Sequence, residues 1–96
     1  MSGEGEWRAK ARYLKALAHP TRLRIIELLG QGEHCVSSLE ILLALKQANV
    51  SQHLSVLSGA GIVEPRRDGM KVCYRLVDER PLRILELIER VPLERR

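Results

Sequence analysis

The stretch that most constrains this chain runs from Lys46 to Ser58, KQANVSQHLSVLS, and is followed at once by Gly59-Ala60-Gly61. Val50, Leu54 and Leu57 recur at helical spacing, so the stretch reads as an amphipathic helix with one face to bury. Its other faces carry Lys46, Gln47, Asn49, Ser51, Gln52 and Ser55. These are short polar groups rather than the Glu- and Lys-rich row of a solvated helix. Packing chemistry behind and hydrogen-bonding chemistry in front suit the major groove of DNA. An ordinary surface helix that happens to lack charge is the alternative, and the flanking chain has to decide.

The punctuation on either side fixes the order of elements. Met1 to Gly5 is small and polar and is expected to fray. WRAKARYLKALA, from Trp7 to Ala18, is helical, with Trp7, Ala11, Leu14 and Ala18 on one face and Leu17 beside it. His19-Pro20 breaks that run, and Pro20 suits the first turn of a second helix, where its missing N–H costs nothing. Leu23, Ile25, Ile26, Leu28 and Leu29 give this helix a broad apolar face until Gly30-Gln31-Gly32 ends it. EHCVS then reads as a short strand, with Ser37 or Ser38 placed to cap the next helix. LEILLALKQ is apolar enough to predict near-complete burial. One long helix from Leu39 to Ser58 is possible, but the change of face at Gln47 favours two, with Ala44-Leu45-Lys46 as the turn.

Beyond Gly61, IVEPRR reads as a strand, with Pro65 suited to a sheet edge. Asp68-Gly69 predicts a two-residue hairpin turn with positive φ at both positions. In the return strand MKVCYRL, alternation directs Val72, Tyr74 and Leu76 to the core and Lys71, Cys73 and Arg75 outward. Asp78 and Pro81 start a last amphipathic helix through Leu82, Leu85, Ile88 and Leu87, and the tail PLERR is expected to be loose. The order helix, helix, short strand, helix, helix, hairpin, helix is that of a winged helix-turn-helix, mainly α with a small β-hairpin, in a single domain over residues 1–96.

Length and charge narrow the function. Ninety-six residues leave room for one core and no separate catalytic module. A formal charge of +4 favours an anionic partner without choosing between nucleic acid, acidic protein and lipid. No apolar run approaches a membrane span or a signal-peptide core, which points to the cytoplasm and to no membrane partner.

Around the organising helix, the hairpin tip carries Arg66, Arg67 and Lys71, cations suited to phosphate or the minor groove. Gln47, Asn49 and Gln52 can pair with base edges, while Ser51 and Lys46 suit phosphate. A small domain buries limited surface on DNA, so two copies reading a near-palindrome are expected. Trp7, Leu14 and Ala18 near one end, and Leu85 and Ile88 near the other, are the candidate dimer surface, or they close the core. If EHCVS lies against the return strand, Cys35 and Cys73 meet on its outer side. There they serve as a reversible disulfide, a persulfidation site or a thiophilic-ion site, or simply as small hydrophobes. With His34 facing the other way they fall short of a zinc set, so no metal or cofactor is expected. No serine or histidine has the spacing of a nucleophile and its base, so an enzyme is not expected. His53, beside the packed seam, reads as structural or as a backbone contact. Asn49-Val50-Ser51 matches a glycosylation acceptor only formally, being mid-helix.

Over Tyr13 to Val77 the chain resembles the ArsR/SmtB family of winged-helix repressors. LKALAHPTRLRIIELL resembles the family's opening, LxxLxxPtRLxIlxlL, and VSQHLSVLSGAGIVEPRRDGMKVCYRL resembles its recognition helix and wing, VSqHLxxLrxaGlVxxrrxGrxvyYrL. The resemblance implies a homodimer paired through its first and last helices, which binds double-stranded operator DNA. It further implies release when a metal, metalloid or thiol-directed signal arrives. The DNA contacts it implies fall on Gln47, Asn49, Ser51, Gln52 and His53, with the wing on Arg66, Arg67 and Lys71. The sensing motifs depart from the family's. EHCVSSL aligns with the arsenic-type ELCVCDL, so Cys35 stands at the first cysteine, but Ser37 replaces the second and Ser38 the acid. The final helix has no histidine for a zinc-type site. Cys73 stands where a wing tyrosine is frequent, and Lys46 where Ser or Thr usually caps the recognition helix. The expectation is a sequence-specific repressor without enzymatic activity; a winged protein-interaction module and a constitutive DNA binder are the alternatives.

Overall fold

The computed structural model describes residues 3–90. Its elements are α1 (Glu4–Leu17), α2 (Pro20–Gly30), β1 (His34–Cys35), α3 (Val36–Leu43), α4 (Gln47–Gly59), β2 (Val63–Asp68), β3 (Lys71–Leu76) and α5 (Arg80–Arg90). The three strands form an antiparallel sheet in the order β1-β3-β2. This is the winged helix-turn-helix order. Pro65 lies in β2, an edge strand, where a missing N–H leaves no central ladder position empty.

The expected breaks fall where local chemistry puts them. Pro20 opens α2, and the His19 Nδ1 accepts from the Thr21 N–H, capping it. Ala44 takes a left-handed conformation (φ 55°) between α3 and α4, so the run from Leu39 to Ser58 is two helices. Gly61, at φ 76°, turns the chain from α4 into β2. Asp78 Oδ1 accepts from the Arg80 N–H at the start of α5.

Ile25, Ile26 and Leu29 of α2, Leu39 and Leu43 of α3, and Val50, Leu54 and Leu57 of α4 meet in the core with Leu17, Ile62 and Val63. Tyr74, Leu76, Leu82, Ile84 and Leu85 pack on its margin. The buried seam of α4 is therefore Val50, Leu54 and Leu57, as its spacing predicts.

Several expectations need correction. Helix α1 begins at Glu4 and includes Gly5, with acidic Glu4 and Glu6 suiting its first turn. Its core face is Tyr13, Ala16 and Leu17, whereas Trp7 and Leu14 are exposed. Cys35 occupies the N-cap of α3 without a side-chain capping bond, and Ser37 and Ser38, the expected caps, fall in its first turn. Only Leu39 and Leu43 of α3 are buried; Ile41 is 80% exposed, because an eight-residue helix turns its other faces outward. Asp68 pairs with Lys71, so Gly69 and Met70 form the hairpin turn, and only Gly69 has positive φ, at 65°. Cys73 does alternate with Tyr74, but at 1% exposure it is buried rather than outward. The tail PLERR lies outside the described residues.

Candidate nucleic-acid interface

Burying Val50, Leu54 and Leu57 rotates the polar side of α4 away from the core. Gln47, Asn49, Gln52 and Ser55 are exposed, and Ser51 is half-buried. Lys46 occupies the N-cap with no side-chain capping bond, so its exposed ammonium stands at the amino end of the helix. The uncharged face predicted from sequence is thus presented to solvent.

His53 is the exception on this helix. Its Nδ1 lies 3.3 Å from Arg22 Nη1, and its ring centroid is 4.5 Å from that of His19. Burial first, then the His19 and Arg22 charges, hold its imidazole below the usual histidine range. Arg22 is fixed in turn by donating through Nε to the Ala16 carbonyl at 2.7 Å. His53 thus joins α4 to the junction of α1 and α2 through Arg22 and His19.

The wing cations divide. Arg66 is bidentate on Glu33, Nε to Oε2 at 2.7 Å and Nη2 to Oε1 at 2.9 Å. This pairing raises the Arg66 pKa and lowers that of Glu33. Arg67 and Lys71 are exposed and form no ion pair among the described residues. Between them Met70 is 98% exposed at the tip. Sequence reasoning passed over Met70 because it assigned the turn to Asp68-Gly69.

A groove of about 340 Å³ separates the wing from α4. Gln47 and Ser51 line one side, Met70, Lys71, Val72 and Tyr74 the other, and Cys35, Val36, Ser37 and Glu40 complete it. Ser37, read from sequence as a cap, contributes a polar wall here. Cys35 and Cys73 pair in register across β1 and β3 and are joined by a disulfide, their Cα atoms 3.6 Å apart. His34 pairs with Tyr74 instead, and its Nδ1 lies 3.2 Å from Ser38 Oγ.

The larger cleft, about 520 Å³, lies between α1 and the end of α4 and is lined in part by Arg12, Tyr13, Lys15 and Arg22. Its perturbed group, Tyr13, has its hydroxyl committed to Asp78 at 2.6 Å. Among the described residues no group of three or more His, Cys, Asp and Glu is placed to hold a metal ion, and no helix is long and apolar enough to cross a membrane.

Residues 19–65 match the model of a bacterial regulatory protein family, the arsR family. The chain is 44% identical over 75 residues to the biofilm growth-associated repressor of Agrobacterium fabrum, covering 78% of this chain and 64% of that protein. It is 42% identical over 77 residues to the regulator Rv0081 of Mycobacterium tuberculosis, covering 79% of this chain and 68% of that protein. The Rv0081 crystal structure superposes with a TM-score of 0.81 over 92% of this chain and 89% of that one, at 36% identity. A domain of Mb0332 from Mycobacterium bovis, described as a homodimeric winged helix-turn-helix DNA-binding domain, gives a TM-score of 0.80. It covers 98% of this chain and 94% of that one, at 33% identity.

Proposed function

The chain belongs to the ArsR family of bacterial regulators, and we propose that it acts as a homodimeric repressor that binds double-stranded operator DNA through α4 and the wing. The observation that carries this reading is a groove that sets Gln47 and Ser51 of α4 opposite Lys71 of the wing, with Asn49, Gln52 and Arg67 exposed nearby in sequence and neither Arg67 nor Lys71 in an ion pair among the described residues. Gln47, Asn49 and Gln52 read base edges; Lys46, Ser51 and Ser55 hold the backbone at the groove rim. Arg67 and Lys71 meet phosphate on the far side, and Arg66 contributes once it parts from Glu33. Two copies joined through α1 and α5 set two recognition helices about one DNA turn apart. The described homodimeric state of the Mb0332 domain supports that arrangement.

A second component rests on the disulfide. Cys35 lines the groove that receives the DNA backbone, so a thiol-directed signal at Cys35 and Cys73 acts where binding occurs. The linked form fixes the wing strand to the start of α3 and has the lower affinity.

Titration of duplex DNA against reduced and oxidised protein over a range of salt tests both components. The expected result is sequence-preferring binding that weakens steeply with salt, with a slope of about −0.9 per phosphate neutralised, and weaker binding by the oxidised form. Salt-insensitive or absent duplex binding favours a protein-interaction module. Equal affinity in both redox forms leaves a constitutive binder.

A further inference from the structure

The two cysteines are chemically unequal. Cys35 is half-buried, lines the open groove and stands at the N-cap of α3, where the first-turn amides favour negative charge. Lys71 shares that groove and adds a positive charge, while Glu40 opposes it. Cys73, 1% exposed on the central strand, reaches solvent only past its neighbours. A small reagent entering the groove therefore meets Cys35, and Cys73 waits behind it in register.

We propose that Cys35 is the thiol attacked by a hydroperoxide, that Cys73 resolves the product, and that DNA seated in the groove shields Cys35 from attack. The shield rests on the operator-binding reading above; the order of the thiols does not. In the first step the Cys35 thiolate attacks the terminal peroxide oxygen. The O–O bond breaks, the leaving alkoxide or hydroxide takes up the proton lost when the Cys35 thiol ionised and departs as an alcohol or water, and Cys35 becomes a sulfenic acid. In the second step the Cys73 sulfur attacks Cys35 Sγ, the S–O bond breaks, and hydroxide leaves as water with the Cys73 proton. Two thiols give up two electrons to one hydroperoxide, yielding the disulfide, an alcohol (water, from hydrogen peroxide) and water.

Both steps are readable on the full, reduced chain with hydrogen peroxide and cumene hydroperoxide as probes, using dimedone trapping and peptide mass mapping. Wild-type protein is expected to close the Cys35–Cys73 disulfide, and Cys73→Ser to accumulate a trapped sulfenic acid on Cys35. Cys35→Ser is expected to stay unmodified at the same exposure. Circular dichroism and a parallel Cys35→Ala variant guard against misreading an unfolded mutant. Duplex DNA at low salt, well above its Kd, is expected to slow Cys35 oxidation about tenfold or more, because only the free fraction reacts. Trapping at Cys73 in Cys35→Ser, or equal rates in both serine variants, overturns the order of attack. Unchanged rates despite saturating DNA overturn the shield. Absence of duplex binding overturns the operator reading and the shield together, while the DNA-free reactions still decide the order of the thiols.

Discussion

The Tyr13 hydroxyl donates to Asp78 Oδ2 at 2.6 Å, and Arg80 donates to the same carboxylate through Nε at 3.0 Å and Nη2 at 2.9 Å. The Arg80 guanidinium also lies over the Tyr13 ring, 4.7 Å from its centroid. These contacts tie α1 to the start of α5. Hydrogen bonding from Arg80, joined by Tyr13, holds the Asp78 carboxyl at about 2 against an ordinary 3.8. Burial and the Asp78 bond push the Tyr13 hydroxyl up to about 12 from 10.0. Below pH 3.8 the unfolded chain takes up a proton that folded Asp78 refuses, so its contribution is full above 3.8 and is lost as pH falls towards 2. Above pH 10 the unfolded tyrosine loses a proton that folded Tyr13 keeps, so stability declines as pH rises from 10 towards 12. Thermal unfolding followed against pH is expected to show Asp78→Asn flattening the acid limb and Tyr13→Phe the alkaline one. Tyr13→Phe also costs about 1 kcal/mol at neutral pH. An alkaline limb unchanged in Tyr13→Phe would mean that this bond does not couple to folding.

Among the elements, the wing is held by a partner that its own sequence does not contain. Glu33, just before β1, accepts both hydrogen bonds from Arg66 of β2, whose Nη2 also lies 4.0 Å from Asp68 Oδ2. Glu33→Gln removes the charge and frees Arg66 for phosphate. Duplex binding at low salt is expected to tighten, with a log–log salt slope steeper by about 0.9 if Arg66 neutralises one further phosphate. A slope equal to that of wild type would assign Arg66 a structural role only. Such a pairing is invisible in sequence because it joins residues 33 apart through tertiary placement. What is legible is local. Pro20, the glycines around Ala60 and the Asp-Gly pair mark the element boundaries, and the period of Val50, Leu54 and Leu57 gives the buried seam of α4. The turn is displaced by one residue because Asp68 completes the ladder opposite Lys71, a register only the assembled sheet sets. Apolarity likewise misjudged α3, since a run of Leu and Ile does not say which of them faces the core. At the candidate site the polar face of α4 is legible, whereas the engagement of His53 with Arg22 and His19 depends on how α4 crosses the earlier helices.

The molecule as a whole leaves a surface that one copy does not cover. On α1, Trp7 is 59% and Leu14 is 55% exposed, and both lie on a stripe turned away from the Tyr13, Ala16 and Leu17 side that meets the core. On α5, Leu87 is 61% and Ile88 37% exposed, whereas Leu85 packs partly on the chain's own core. Leu85 therefore belongs as much to the fold as to any partner surface, and Ile88 and the α1 stripe are the better markers of dimerisation. Because Leu14 contributes little to the core, Leu14→Glu is expected to leave the circular dichroism of the chain intact while splitting the dimer in sedimentation equilibrium. Duplex binding should fall with it, since two half-sites then lose their linkage and each copy binds alone. A Leu14→Glu protein that stays dimeric and binds DNA as wild type does would show that copies meet elsewhere. One that is monomeric yet binds undiminished would show that a single wing and α4 suffice.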